Sequence, residues 1–187
     1  MSDRRHIALW LDRLSVRLYR IGLGLSVFAV VVMMAAASWQ VFARYLLAQP
    51  PVWTEELARF SMVWAGMLGA SCAFRLKADP TLFPEALRLK GPANVLATTL
   101  RSAGTLIFVT VTIWCCIFGT GFDPSRGYIA RLAGRQAETM PLPMMVFGIA
   151  IPIAFAFIVV HVLADFARLA LPDDARPQPE TEPDPAA

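Results

Sequence analysis

Charged residues are scarce in this chain of 187 residues and are absent from its longest apolar runs. Asp, Glu, Lys and Arg make up 17% of the sequence, whereas 57% of it is hydrophobic. Residues 21–43 and 102–122 carry no charge, and residues 139–164 contain His161 as their one titratable side chain. Such runs are typical of membrane-spanning helices, which need roughly 20 apolar residues. They exclude an ordinary soluble domain.

Cysteine and histidine are also rare, with three and two residues in the whole chain. The cysteines, Cys72, Cys115 and Cys116, fall inside apolar runs and form no Cys-x-x-Cys pattern, which favours a packing role. A bis-histidine haem would need two intramembrane histidines, but His6 precedes the first run. The sequence therefore predicts no cofactor and no enzyme, with a four-helix membrane redox subunit as an alternative.

A shorter apolar run covers residues 60–74, so the sequence predicts an all-α membrane protein with four transmembrane helices. Residues 1–20 form a basic, amphipathic helical segment that either lies flat on the membrane or extends the first span. Residues 172–187 are rich in proline and acidic residues and predict a disordered tail. The four-helix transmembrane domain covers residues 21–171, with approximate spans at 21–47, 57–75, 95–119 and 140–168.

Lys and Arg are distributed unevenly between the predicted loops. Five arginines precede residue 21 and four basic residues lie between residues 75 and 90, whereas the third connection holds three arginines. The positive-inside rule then predicts that both termini are cytoplasmic in a bacterial inner membrane. The basic balance fits contact with anionic membrane lipids, and no pattern indicates binding to nucleic acid.

The connection between the first two spans concentrates polar side chains near a predicted membrane face. Glu55 and Glu56 fall in the first turn of the second helix, where the helix dipole favours anions. Glu55 has i,i+4 spacing to Arg59, and Arg44 is close enough in sequence to reach the same carboxylates. Helix capping with an aromatic belt would explain the same residue types. The residues that we expect to hold this hairpin are Arg44, Tyr45, Trp53, Glu55, Glu56 and Arg59.

These hairpin residues resemble the pattern of a known family. The chain is similar to the small membrane subunit of tripartite ATP-independent periplasmic (TRAP) transporters, the DctQ-like family, in Arg44-Tyr45, the short loop with proline, Trp53-Thr54-Glu55-Glu56-Leu57-Ala58-Arg59, Trp64, Gly69-Ala70 and Arg75. The similarity extends over roughly residues 20–165.

The resemblance implies a small, non-catalytic scaffold subunit of a secondary active transporter that takes up organic acids with a sodium gradient. The implied partners are a large elevator-type permease subunit and a periplasmic substrate-binding protein. By the same resemblance, the hairpin residues would hold the hairpin and support docking, and they would bind no substrate.

Ionisable residues of opposite charge lie inside the predicted third and fourth spans. Arg101 lies about two turns into the third helix, and Asp165 lies at a matching depth near the end of the fourth. We predict a contact between Arg101 and Asp165 with His161 nearby. Snorkelling of Arg101 to the lipid headgroups is an equal alternative.

Small residues on the second helix form ridges that permit close helix packing. The partner of these ridges is either another helix of this chain or another subunit. The spans are otherwise poor in the polar groups that line translocation paths, although a stand-alone small carrier or channel remains an alternative. The ridge residues are Gly66, Gly69, Ala70 and Ala73.

Overall fold

The structure is a computed structural model that describes residues 2–76, 92–119 and 122–169. Within these ranges the chain forms helices and no β-strand, and one isolated bridge pairs Gln136 with Pro143. The predicted tail at residues 172–187 lies outside the described residues. The helices are α1 (Ser2–Tyr45), α2 (Trp53–Leu76), α3 (Pro92–Ile117), a short 3-10 turn (Pro124–Arg126), α4 (Tyr128–Ala133), α5 (Met145–Gly148) and α6 (Ala150–Leu169).

Four helical segments of the described chain are long and apolar enough to cross a membrane, with α5 and α6 forming the last of them together. This confirms the predicted all-α membrane protein with four transmembrane helices. The segments are His6–Tyr45, Trp53–Leu76, Thr99–Ile117 and Met145–Arg168.

The first helix is continuous over 44 residues. At 1.5 Å per residue it is roughly 66 Å long, which is about twice the thickness of the hydrocarbon core. Part of α1 must therefore extend beyond the apolar layer, and the arginines before residue 21 identify the N-terminal part. No proline interrupts residues 2–45. The N-terminal segment and the first span thus form one continuous helix, which favours the extension of the span over a separate flat segment.

Buried positions recur at every seventh residue in each spanning segment. A straight α-helix drifts by about 20° per heptad, so a strict seven-residue repeat indicates left-handed supercoiling of the packed helices. On α1 every member of the series is small, which lets the neighbouring backbones approach closely. The series are Ala8, Ser15, Gly22, Ala29, Ala36 and Ala43 on α1, Thr54, Ser61 and Leu68 on α2, Ser102, Val109 and Cys116 on α3, and Phe147, Ala154 and His161 on α5 and α6.

The helices α1, α2 and α6 contact one another, and α3 packs against α6 and α4. Between α1 and α2, the hydroxyl of Ser26 donates to the carbonyl of Ala65 at 2.9 Å. This antiparallel packing defines two ends of the bundle. The hairpin end contains residues 46–52 and 122–144, and the terminal end contains the start of α1 and the last turns of α2 and α6.

Candidate functional site

At the hairpin end, Glu56 in the first turn of α2 accepts hydrogen bonds from the loop before α5. Its Oε1 accepts the backbone N–H of Glu138 at 2.9 Å, and its Oε2 accepts the backbone N–H of Thr139 at 2.8 Å. The Thr139 hydroxyl also donates to Oε2. Glu56 is largely buried within the chain, and charge-assisted hydrogen bonds replace part of the hydration of its carboxylate. We call Glu56, Glu138 and Thr139 the Glu56 clamp.

Aromatic contacts continue the same attachment along α2. Phe60 and Trp64 follow Glu56 at intervals of four residues, which places all three on one helix face. The Phe60 ring stacks on Phe147 of α5 with centroids 3.9 Å apart. Trp64 Nε1 donates to the carbonyl of Val146 at 3.2 Å. The start of α2 is therefore fixed to the loop before α5 by the clamp, and to α5 itself by one ring stack and one hydrogen bond.

The other predicted hairpin residues are exposed on the surface of the chain. Glu55 and Arg59 form the expected i,i+4 ion pair at 3.0 Å, with about two thirds of each side chain exposed. Tyr45 and Trp53 are also exposed, as is Arg44. The expected contact of Arg44 with the carboxylates of Glu55 and Glu56 is not formed, since no ion pair joins them within the described ranges. The physical reason is that Arg59 already occupies Glu55, while Glu56 turns into its clamp.

A second polar group lies at the terminal end and was not predicted from the sequence. Asp12 of α1 forms ion pairs with Arg168 of α6 and, at 3.8 Å, with Arg75 of α2. Arg75 also donates to the hydroxyl of Ser15, which lies 2.7 Å from His161 Nδ1. We call these five residues the Asp12 cluster. It connects the three helices of the core through side chains that are mostly withdrawn from solvent.

The members of the Asp12 cluster other than Asp12 itself belong to, or continue, the seven-residue series of the three helices. Ser15 belongs to the series of α1, Arg75 follows Leu68 by seven residues, and Arg168 follows His161 by seven. The seven-residue spacing therefore indicates that these arginines lie on the inner faces of their helices. The positive-inside count uses them only to assign the cytoplasmic side. The described part of the chain contains no group of three or more His, Cys, Asp and Glu side chains placed to hold a metal ion.

The predicted intramembrane residues lie in different surroundings. The guanidinium carbon of Arg101 is 5.3 Å from the centroid of the Phe74 ring, which is a cation–π distance. His161 contacts Ser15 in the Asp12 cluster. The ion pairs formed among the described residues do not join Arg101 to Asp165, so the predicted contact between these two side chains is not formed in the structure.

The small residues of α2 divide into an inner and an outer ridge. A Cβ atom added to Gly69 would lie 3.3 Å from the Ser26 hydroxyl oxygen, whereas one added to Gly66 would meet no atom within 4 Å. Ala73 is half-buried and Ala70 is exposed. Gly69 and Ala73 therefore belong to the inner ridge, and Gly66 and Ala70 form an open outer ridge.

Comparison with known proteins places this architecture in a family. Residues 33–171 match the family described as "Tripartite ATP-independent periplasmic transporters, DctQ component". That range includes about the last third of α1 and the other three spans. The chain belongs to the DctQ family. Members of this family are transporter components and not enzymes.

This DctQ-family chain is similar to the sialic acid TRAP transporter small permease protein SiaQ of Vibrio cholerae. The two are 28% identical over 81 residues, which are 40% of this chain and 47% of the relative. The aligned part thus spans about half of the relative's length. All three residues of the Glu56 clamp lie inside the family match, whereas Asp12 and Ser15 precede it.

Proposed function

We propose that this chain is the small, non-catalytic scaffold subunit of a TRAP-type secondary active transporter that takes up organic acids with a sodium gradient. In this proposal it pairs with a large elevator-type permease subunit and a periplasmic substrate-binding protein. It lies in the bacterial inner membrane with both termini in the cytoplasm. The family match over residues 33–171 is the observation that carries the proposal.

The use of charged groups in the described spans supports a scaffold role. Intramembrane ionisable residues that serve transport usually face a cavity or a path for the solute. In this chain Glu56 holds backbone donors of a loop, and Asp12 holds two arginines of neighbouring helices. These contacts join helices to one another and to a loop, as expected of a rigid support.

The exposed residues of the hairpin end are the proposed docking contacts. Arg44, Tyr45, Trp53, Glu55 and Arg59 present both charges and aromatic rings to the outside. Aromatic and arginine side chains are the types that dominate the energetics of protein interfaces. Glu56 has a different proposed role, because its carboxylate is already used to hold the hairpin.

Uptake by reconstituted vesicles tests the proposed function. Vesicles would contain this chain, the large permease or both, with the binding protein and a labelled organic acid outside. We expect accumulation when the large permease and the binding protein are present together with this chain and an inward sodium gradient. A vesicle without the gradient is the control. Accumulation by this chain alone would overturn the scaffold role and favour the carrier alternative.

A further inference from the structure

A cavity of about 380 Å³ opens at the hairpin end beside the last turn of α3. Trp114, Phe118 and Phe122 contribute its aromatic lining, and the Trp114 ring centroid lies 4.5 Å and 5.5 Å from those of Phe118 and Phe122. Arg126 and Arg131 contribute guanidinium groups to the same cavity. Its volume is within the range of small-molecule sites, which begins at about 300 Å³.

The backbone after α3 folds back tightly and fixes Arg126 beside the aromatic rings. Gly119 donates its N–H to the carbonyl of Asp123 at 3.1 Å. A Cβ atom added to Gly127 would collide with the carbonyl oxygen of Ile117, so only glycine permits this approach. The position of Arg126 is thus set by the fold of the main chain.

The charges around the cavity leave a surplus of one positive charge. Ser125 donates its hydroxyl at 2.7 Å and its backbone N–H at 2.9 Å to Asp123 Oδ1. These two hydrogen bonds lower the pKa of the Asp123 carboxyl. Its Oδ2 lies 3.5 Å from Arg126 Nε. Arg126 and Arg131 with one ionised carboxylate therefore give a net charge of +1.

The chemistry of the lining indicates a ligand with an anionic head and an apolar body. Guanidinium groups bind phosphate oxygens through charge-assisted hydrogen bonds, and aromatic rings at the end of a spanning helix suit the interface between headgroups and acyl chains. Trp114 and Phe122 remain 46% and 75% exposed, so the rings are open to the bilayer. A free phosphate ion would leave them uncovered, whereas a phospholipid uses both parts of the cavity.

We propose that this cavity binds the phosphodiester headgroup of a monoanionic phospholipid of the phosphatidylglycerol type. One negative charge on the lipid balances the net charge of +1, and the glycerol backbone with the first acyl carbons covers the rings. The proposal depends on α3 crossing the membrane and is independent of the transported substrate and of the partner subunits.

Competition between two lipids tests the proposal on the purified full-length chain. The chain would be incubated with equal amounts of phosphatidylglycerol and phosphatidylcholine of identical acyl chains, and bound lipids would be counted by native mass spectrometry. We expect a preference for phosphatidylglycerol that falls about fivefold in Arg126→Gln and in Arg131→Gln. Arg135→Gln is the matched control, because Arg135 is exposed on the same loop but does not line the cavity.

Two further variants and a competitor test the anionic and apolar parts of the lipid site separately. Asp123→Asn keeps an oxygen acceptor for Ser125 and removes a negative charge, so we expect a stronger preference for phosphatidylglycerol. Phe122→Ala should weaken it by uncovering the acyl contact. Inorganic phosphate should not displace the lipid, because it lacks the apolar body.

Four outcomes would overturn the proposal. An equal loss in all three arginine variants would indicate diffuse attraction to the loop. Complete displacement by inorganic phosphate would indicate a site for free anions. The absence of any lipid preference in the unmodified chain would remove the site altogether. Loss of binding to the periplasmic protein in Arg126→Gln, with lipid binding unchanged, would make this surface a docking site.

Discussion

Thr139 donates its backbone N–H to Glu56 Oε2 at 2.8 Å, although 83 residues of chain separate the two. The neighbouring Glu138 N–H reaches the other oxygen of the same carboxylate. A single side chain in the first turn of α2 thereby orders the loop that leads into the last span. The geometry of the hairpin end thus depends on one carboxylate and two peptide groups, not on a complementary charge.

We expect Glu56→Gln to lower the apparent unfolding temperature of the purified chain by several degrees. An amide offers one oxygen where the carboxylate offers two, so at least one backbone N–H of the clamp loses its acceptor. Thermal unfolding in detergent, followed by tryptophan fluorescence, measures the change. Glu55→Gln is the control, since that side chain is mostly exposed. An equal shift in both variants would contradict the clamp.

The second prediction concerns the energetic coupling of Asp12 on α1 with Arg168 on α6. Asp12→Asn should reduce the free energy of unfolding by roughly 2 kcal/mol, because it removes the negative charge that two largely buried arginines contact. Arg168→Gln should cost a similar amount, and the double variant should cost less than the sum of the two. Arg17→Gln, at an exposed position of α1, is the control. Strict additivity would show that the two groups do not interact.

Local features were predictable from the sequence, and distant pairings were not. The four spans follow from runs without charge, and the Glu55–Arg59 pair follows from helical spacing alone. Two of the three donors to Glu56 are backbone N–H groups, which every residue except proline carries, so their identity leaves no mark in the sequence. Asp12 and Arg168 are 156 residues apart, and several arginines at the terminal end were equivalent candidates.

The seven-residue series on α1 can be found in the sequence, but only by a search for small residues that recur every seven positions. A search for an amphipathic stripe uses the helical repeat of 3.6 residues, and polarity does not distinguish the faces of a helix in lipid. Residue size does distinguish them, because the inner positions of α1 are occupied by Ala, Ser and Gly. Extending these series to the terminal end would have placed Ser15, Arg75 and Arg168 on inner faces, but Asp12 lies outside the series and its pairing could not be inferred in this way.

Adjacent alanines on α1 test the series directly. Ala36 is 5% exposed and belongs to it, whereas Ala37 is exposed. We expect Ala36→Leu to destabilise the chain by about 1–3 kcal/mol through overpacking, and Ala37→Leu to leave its stability nearly unchanged. Both substitutions add the same side chain to the same helix, so their hydropathy and helix propensity cancel. Equal stabilities, measured by unfolding in detergent, would show that α1 does not pack through this face.

The two ridges of α2 give the last prediction. Gly69→Leu should separate α1 from α2 and break the hydrogen bond between Ser26 and Ala65. A Cβ atom at position 69 already lies 3.3 Å from the Ser26 hydroxyl oxygen, so no space remains for the rest of a leucine side chain. Leucine at position 66 meets open space in the chain alone, and replacing glycine inside a helix favours folding by up to about 1 kcal/mol. We therefore expect Gly69→Leu to lower the unfolding temperature and Gly66→Leu to preserve or raise it. A loss of stability in both variants would place the outer ridge inside the fold of this chain, whereas tolerance of Gly66→Leu leaves that ridge available for a helix of another subunit.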